Sequence, residues 1–226
     1  MVSTGAQRRD RLGFSTRRLR HLQFPTTLRT APDTYDSAVS AVDALEAAGI
    51  PHSDISIVSN NVDNRYSKDQ PTHAGADAGK GAGIGAAVGG VGGLLTGLGL
   101  LAIPGIGPVV AAGWLVATAA GAVTGAVVGG TAGGLVGSLT HAGVPEHDAN
   151  FYAEDVRRGG TLVSARVDDA RASTAREILQ RYKPVDTTRR GAAYRESGWS
   201  SFDTNASAYT AEQVAAERRR YIGGGV

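Results

Sequence analysis

From residue 25 onward the apolar positions fall into two alternating periods. In PTTLRTA only Leu28 is clearly apolar, which predicts a short, weak strand. In PDTYDSAVSAVDALEAAGIP, Tyr35, Ala38, Val39, Val42 and Leu45 recur at helical spacing. Asp33 or Thr34 can cap the start of that helix, and Gly49 with Pro51 supplies its stop. Ile55, Ile57 and Val58 then predict a strand bounded by Asp54 and the Asn60-Asn61 pair, so residues 25–61 read as a strand-helix-strand unit.

After a polar stretch and a long apolar one, the pattern resumes. AGVPEHDANFYAEDVRRGG predicts a helix that Pro145 opens and Gly159 ends, with Ala149, Tyr152, Ala153 and Val156 on one face. TLVSARVDD alternates as a half-buried strand does. ASTAREILQRYKPVD places Ala175, Ile178, Leu179 and Tyr182 in helical register, with a short strand expected from Val185 to Thr188. The order predicts an α+β or α/β fold, a small split α/β domain of ferredoxin-like type. Its halves are 25–61 and 142–190, with a linker at 62–78 and an interruption at 79–141.

That interruption carries no charged side chain between Lys80 and His141. Gly81, Gly85, Gly89, Gly93 and Gly97 fall every four residues, and Gly121, Gly125, Gly129, Gly133 and Gly137 repeat the spacing. On a helix, positions four apart share a face, and a row of glycines there lets another backbone approach closely. Glycine opposes helix formation by about 1 kcal/mol per residue relative to alanine, so such a zipper needs tight packing or a nonaqueous setting. Pro104, Gly105, Gly107 and Pro108 in IPGIGP would break the helix, which predicts an antiparallel helical hairpin with these four residues at its tip. An arm from Gly81 to Ile103 would span about 34 Å against a hydrocarbon core of about 30 Å. A membrane hairpin and a protein-enclosed assembly of stacked subunits both satisfy the pattern.

Charge bears on orientation. Residues 1–30 hold seven arginines against Asp10, a net of about +6, so the overall +2 leaves about −4 for the remainder. Arm 1–24 reads as a flexible basic segment with no continuous apolar stretch after its arginine pairs, which makes export an unfavoured reading. With Lys80, Arg157 and Arg158, it favours a cytoplasmic membrane location with the soluble domain on the cytoplasmic side; the alternative is a cytoplasmic assembly.

SAVSAVDALEAAGIPHSDISIV, the hairpin with LLAIPGIGPV, and GVPEHDANFYAEDVRRGGTLVSARVDD together resemble bacterial general stress proteins of the YflT-like class that carry a glycine-zipper insertion. The similarity covers residues 28–183, with a first strand less apolar than the class usually shows. It implies a stress-associated, membrane-linked protein and transfers no active-site residue.

Residue chemistry points away from catalysis. The chain has no cysteine, which removes disulfides, thiolate metal sites and cysteine nucleophiles. Gly81, Gly83 and Ala86 match the loose G-x-G-x-x-A form, but no strand precedes them, so nucleotide binding is a distant alternative. His73, His141 and His147 do not converge with acids at metal-ligand spacing, and no cofactor is expected. The segment 191–226 carries Trp199, Phe202 and Tyr209 in polar surroundings, a pattern that suits docking on another subunit or partner, or packing on its own domain. Thr210 and Gln213 form a capping box for a short helix. The expectation is therefore a nonenzymatic protein that binds membrane lipid through the hairpin and associates with itself, with no specific nucleic-acid partner. Its alternative is a soluble self-assembling scaffold or shell-like protein whose hairpins pack on each other.

Overall fold

A computed structural model describes residues 26–32, 34–65, 98–116, 118, 134–182 and 184–222. In chain order the elements are β1 (Thr26–Thr30), α1 (Tyr35–Ala47), a 3-10 turn (His52–Asp54), β2 (Ile55–Asn60), β3 (Gly99–Ile103), β4 (Gly107–Gly113), α2 (Leu135–His141), α3 (Glu146–Arg157), β5 (Thr161–Val167), α4 (Asp169–Arg181), α5 (Thr187–Glu196) and α6 (Ala211–Ile222). The class is mixed α+β. A single five-stranded sheet has the order β1-β5-β2-β4-β3, and every neighbouring pair is antiparallel.

The sheet separates two apolar cores because side chains alternate across it. On one face α1 and α4 pack Ala38, Val42, Leu45, Ile178 and Leu179 against Ile55, Ile57, Val163 and Ala165. On the other, α2 and α3 pack Leu135, Leu139, Ala149 and Val156 against Val58, Val109, Ala111 and Leu162. Strand β2 is buried at every position and joins the two sequence halves, pairing with β5 on one side and β4 on the other. Thr34 caps α1 by accepting from the Ser37 amide, and Asp168 caps α4 by accepting from the Arg171 amide.

The apolar interruption differs from expectation at its centre. Residues 99–103 and 107–113 are two strands of the common sheet, not helical arms of a hairpin. The Ile103-to-Ile106 turn explains the reversal: the Ile106 amide donates to the Ile103 carbonyl at 3.0 Å, with Pro104 second and Gly105 third at φ +75, the arrangement of a type II turn. Once the chain reverses within four residues, the flanking apolar runs GLLAI and PVVAAG can pair with each other, and β4 then pairs with β2. Gly113 is required at the far end of β4, where φ is +91 and a Cβ would lie 2.1 Å from the Ile55 carbonyl oxygen. The expected strand at 185–188 is instead a single bridge, Pro32 to Pro184, followed by α5; Asp186 caps that helix by accepting from the Thr188 and Arg189 amides. The basic arm 1–24, most of the linker and most of the glycine series lie outside the described residues.

Candidate assembly surface

Strand β3 forms one margin of the sheet, and among the described residues no strand lies on the outer side of its backbone. Its sequence is GLLAI, without a charge or proline to discourage pairing with another strand. Leu101 packs on the α2/α3 core and Ile103 is buried within it, whereas Leu100 is 50% exposed. No other large hydrophobic residue among the described ones is comparably exposed. An apolar, uncharged edge strand with an exposed leucine has the features of a strand-pairing surface.

The turn that joins β3 to β4 is covered by the chain's own C-terminal segment. A Cβ on Gly105 would lie 2.6 Å from the Asp203 carbonyl oxygen and 3.0 Å from Phe202 Cζ, and one on Gly107 would lie 2.8 Å from Ala208 Cβ. Ile106 between them is fully buried, while Pro104 and Pro108 are exposed. Trp199 and Phe202 pack on the α2/α3 core, the Phe202 amide donates to Asn150 Oδ1 at 3.0 Å, and the Arg157 guanidinium lies 4.8 Å over the Tyr209 ring. The three aromatic residues expected to dock thus seat on their own domain. The tip is part of the folded core and does not project from it.

What holds this segment down is a buried ionic network on α3. Glu154 is fully buried and accepts from Arg158 Nε at 2.6 Å and Arg157 Nη1 at 3.2 Å. Arg158 lies 4.2 Å over the Tyr194 ring of α5 and also reaches Glu217 of α6 at 3.6 Å. Burial works against the Arg158 charge, but its hydrogen bond and charge pairing with Glu154 raise its pKa above the ordinary arginine value. Beside it, Asp155 Oδ1 accepts from the Tyr194 hydroxyl at 2.8 Å and faces Arg190 Nη1 at 3.5 Å. Arg218 of α6 donates to the Gly159 carbonyl at 2.9 Å and pairs with Asp63 after β2. Buried charges of this kind persist only when paired, and removing one partner strands the other at a cost of about 3–5 kcal/mol. The network was legible in part: EDVRR places acids three and four residues before arginines on a helix, the spacing at which they meet.

Of the glycine series, Gly137 is described and lies within α2, partly buried. Gly81, Gly85, Gly89, Gly93, Gly97, Gly121, Gly125, Gly129 and Gly133 lie outside the described residues. Among the described residues, no group of three or more His, Asp or Glu side chains could hold a metal ion, and no helix is long and apolar enough to cross a membrane. Comparison of the chain with protein-family models, curated proteins and solved structures gives no match in any of the three.

Proposed function

We propose that this chain is a nonenzymatic, stress-associated protein that works by association with itself, copies meeting edge to edge along β3. The observation that carries the reading is the GLLAI margin, which no other strand among the described residues pairs, with Leu100 half exposed. The sheet is antiparallel throughout, so two β3 strands related by a twofold axis would continue its hydrogen-bond pattern without a change of strand direction. Covering the exposed half of Leu100 contributes about 1 kcal/mol per copy. A five-residue edge alone buries less than the roughly 1,200 Å² of a stable interface. The uncharged run Gly81–Leu98, which leads directly into β3, is therefore assigned the remaining contact area, with Gly85, Gly89 and Gly93 as its close-approach positions. In this reading the split ferredoxin-like unit is the scaffold and the glycine zippers are its packing arms.

The test is oligomeric state by analytical ultracentrifugation. The parent should sediment as a dimer or larger species. Leu100→Lys, which adds a charge to the edge, and Gly89→Leu, which fills the expected zipper groove, should each shift it toward monomer with an unchanged far-ultraviolet circular dichroism spectrum. A monomeric parent at all concentrations would sink the reading. A second reading, attachment to a membrane through the same arms, is favoured by the absence of charge from Gly81 to Leu98. Flotation with lipid after an alkaline wash supports it, and lipid-free particles refute it.

A further inference from the structure

Residues 200–222 lie on their own domain but are attached to it unlike the strands. Among the described residues, no backbone-to-backbone hydrogen bond joins this segment to the rest of the chain. Each bond across the boundary uses a side chain. At the near end the Phe202 amide donates to Asn150 Oδ1 at 3.0 Å, and midway Arg157 Nη2 donates to the Ser207 carbonyl at 3.0 Å. At the far end Arg218 donates to the Gly159 and Asn60 carbonyls at 2.9 and 3.3 Å and to Asp63 Oδ2. The segment meanwhile has order of its own. Asp203 closes a turn by accepting from the Asn205 and Ala206 amides, and Thr210 with Gln213 caps α6.

Detachment would leave no charge of the domain stranded. Glu154 keeps both arginines of α3, since Arg158 Nε and Arg157 Nη1 bond different oxygens of its carboxylate. Asp155 keeps Tyr194 and Arg190, which belong to α5 ahead of the boundary. Asp63 keeps Arg65 at 3.0 Å when Arg218 leaves, and on the segment Glu217 keeps Arg220 at 3.0 Å. The heavy penalty for opening a buried ion pair arises where one partner stays behind inside the protein. Here the group that loses its carboxylate is Arg218, and it moves into water. Apolar anchorage is slight: Val214 is fully buried over Gly159, Phe202 is partly buried on the α2/α3 core, and the Tyr209 ring lies under Arg157.

The connection suits a hinge. The Trp199 amide is tied to the Tyr194 carbonyl at 3.0 Å, whereas Ser200 and Ser201, between it and Phe202, are both exposed. We propose that residues 200–222 form a detachable strap, which leaves the domain as one unit while the five-stranded sheet stays folded. Closed, it holds Phe202 and Asp203 over Gly105 and Ala208 over Gly107, so the β3–β4 turn is accessible in the open form alone. The device acts at the turn and not along the outer side of β3, and it stands whether or not copies of the chain meet at that edge.

The experiment is residue-resolved amide hydrogen exchange on the full chain in its native state, over a series of low urea concentrations. Amides of α6 and the Phe202 amide should exchange together, faster than those of β2 and β5 and with a weaker urea dependence, as a sub-global opening does. Arg218→Gln removes charged hydrogen bonds at the far end and should speed exchange of α6 about tenfold or more. As one unit, the strap should pass that acceleration to the Phe202 amide, and Phe202→Ala should speed α6 in return, with β2 and β5 unchanged in both variants. Exchange of α6 at the rate and urea dependence of the sheet would overturn the proposal, because the segment would then open only with the whole domain. Acceleration confined to α6 in Arg218→Gln would overturn it too, since the helix would be fraying alone.

Discussion

Replacing Gly105 with alanine tests whether the turn between β3 and β4 is truly roofed by the C-terminal segment. Two costs arise. The first is conformational: φ is +75, and an L side chain in that region costs about 1–2 kcal/mol. The second is steric, because the new Cβ would sit 2.6 Å from the Asp203 carbonyl oxygen and 3.0 Å from both Phe202 Cζ and Thr204 Cα. Two of those atoms are backbone and cannot swing aside, so overpacking adds about 1–3 kcal/mol. Gly49 is the internal control. Its φ is +80, close to that of Gly105, yet nothing lies within 4 Å of an added Cβ, so Gly49→Ala carries the conformational cost alone. The gain from restricting the unfolded chain is common to both substitutions and cancels in their difference. Urea unfolding should show Gly105→Ala less stable than Gly49→Ala by about 1–3 kcal/mol with similar m-values. Equal destabilisation would mean that the tip is open, as a lipid-facing or projecting tip would be, and would refute the covered turn.

Two further outcomes are expected. Tyr194→Phe keeps the ring stacked 5.7 Å from Phe151 but deletes the hydroxyl that donates to buried Asp155, so stability should fall by about 1.5–3 kcal/mol in denaturant unfolding; no change would show the bond to be dispensable. Burial alone would raise the Asp148 carboxyl, but the hydrogen bonds and charges of Arg29 and His147 outweigh it and hold the group below its ordinary value. A depressed folded-state value means that its stabilisation is full above the unfolded value, near pH 4, and is lost as pH falls through the folded one. Asp148→Asn should therefore flatten the acid limb of the stability profile, and an acid limb as steep as the parent's would contradict the pairing.

Most elements outside the glycine run were legible because they carried their own local code. Tyr35 to Leu45 and Ala149 to Val156 recur with helical period, and Thr34 caps α1 as expected. Thr210 and Gln213 form the reciprocal capping box, the Thr210 amide donating to Gln213 Oε1 at 2.8 Å and the Gln213 amide to Thr210 Oγ1 at 3.3 Å. The β-hairpin was misread because a four-residue glycine period was extended across it. Its own signal was present in two apolar runs of strand length about a Pro-Gly turn, but periodicity alone does not separate such runs from buried helix. Helix α5 was missed for another reason. TTRRGAAYRE has no clear apolar stripe, and its place is set by Tyr194, whose ring and hydroxyl meet Phe151, Arg158 and Asp155 from a distant element.

The folded turn also changes what a self-associating reading requires of the chain. If residues 99–113 formed the end of a projecting hairpin, the part farthest from the domain would be its most apolar part, and contact between copies would begin there. Instead Ile103, Ile106 and Val109 are buried in the α2/α3 core, while Leu100, nearer the start of β3, is half exposed. Strands β3 and β4 run antiparallel, so Leu98 and Gly113 lie at the end of the sheet opposite the turn. Leu98 and Leu100 thus lie toward the end of the hairpin away from the roof that Phe202 and Asp203 provide. A contact along the β3 edge would therefore leave the ionic network on α3 undisturbed. Loss of association on Leu100→Lys with the Tyr194 and Glu154 network intact is the separation this geometry demands. Association that fails only when that network is broken would place the contact on the C-terminal segment instead.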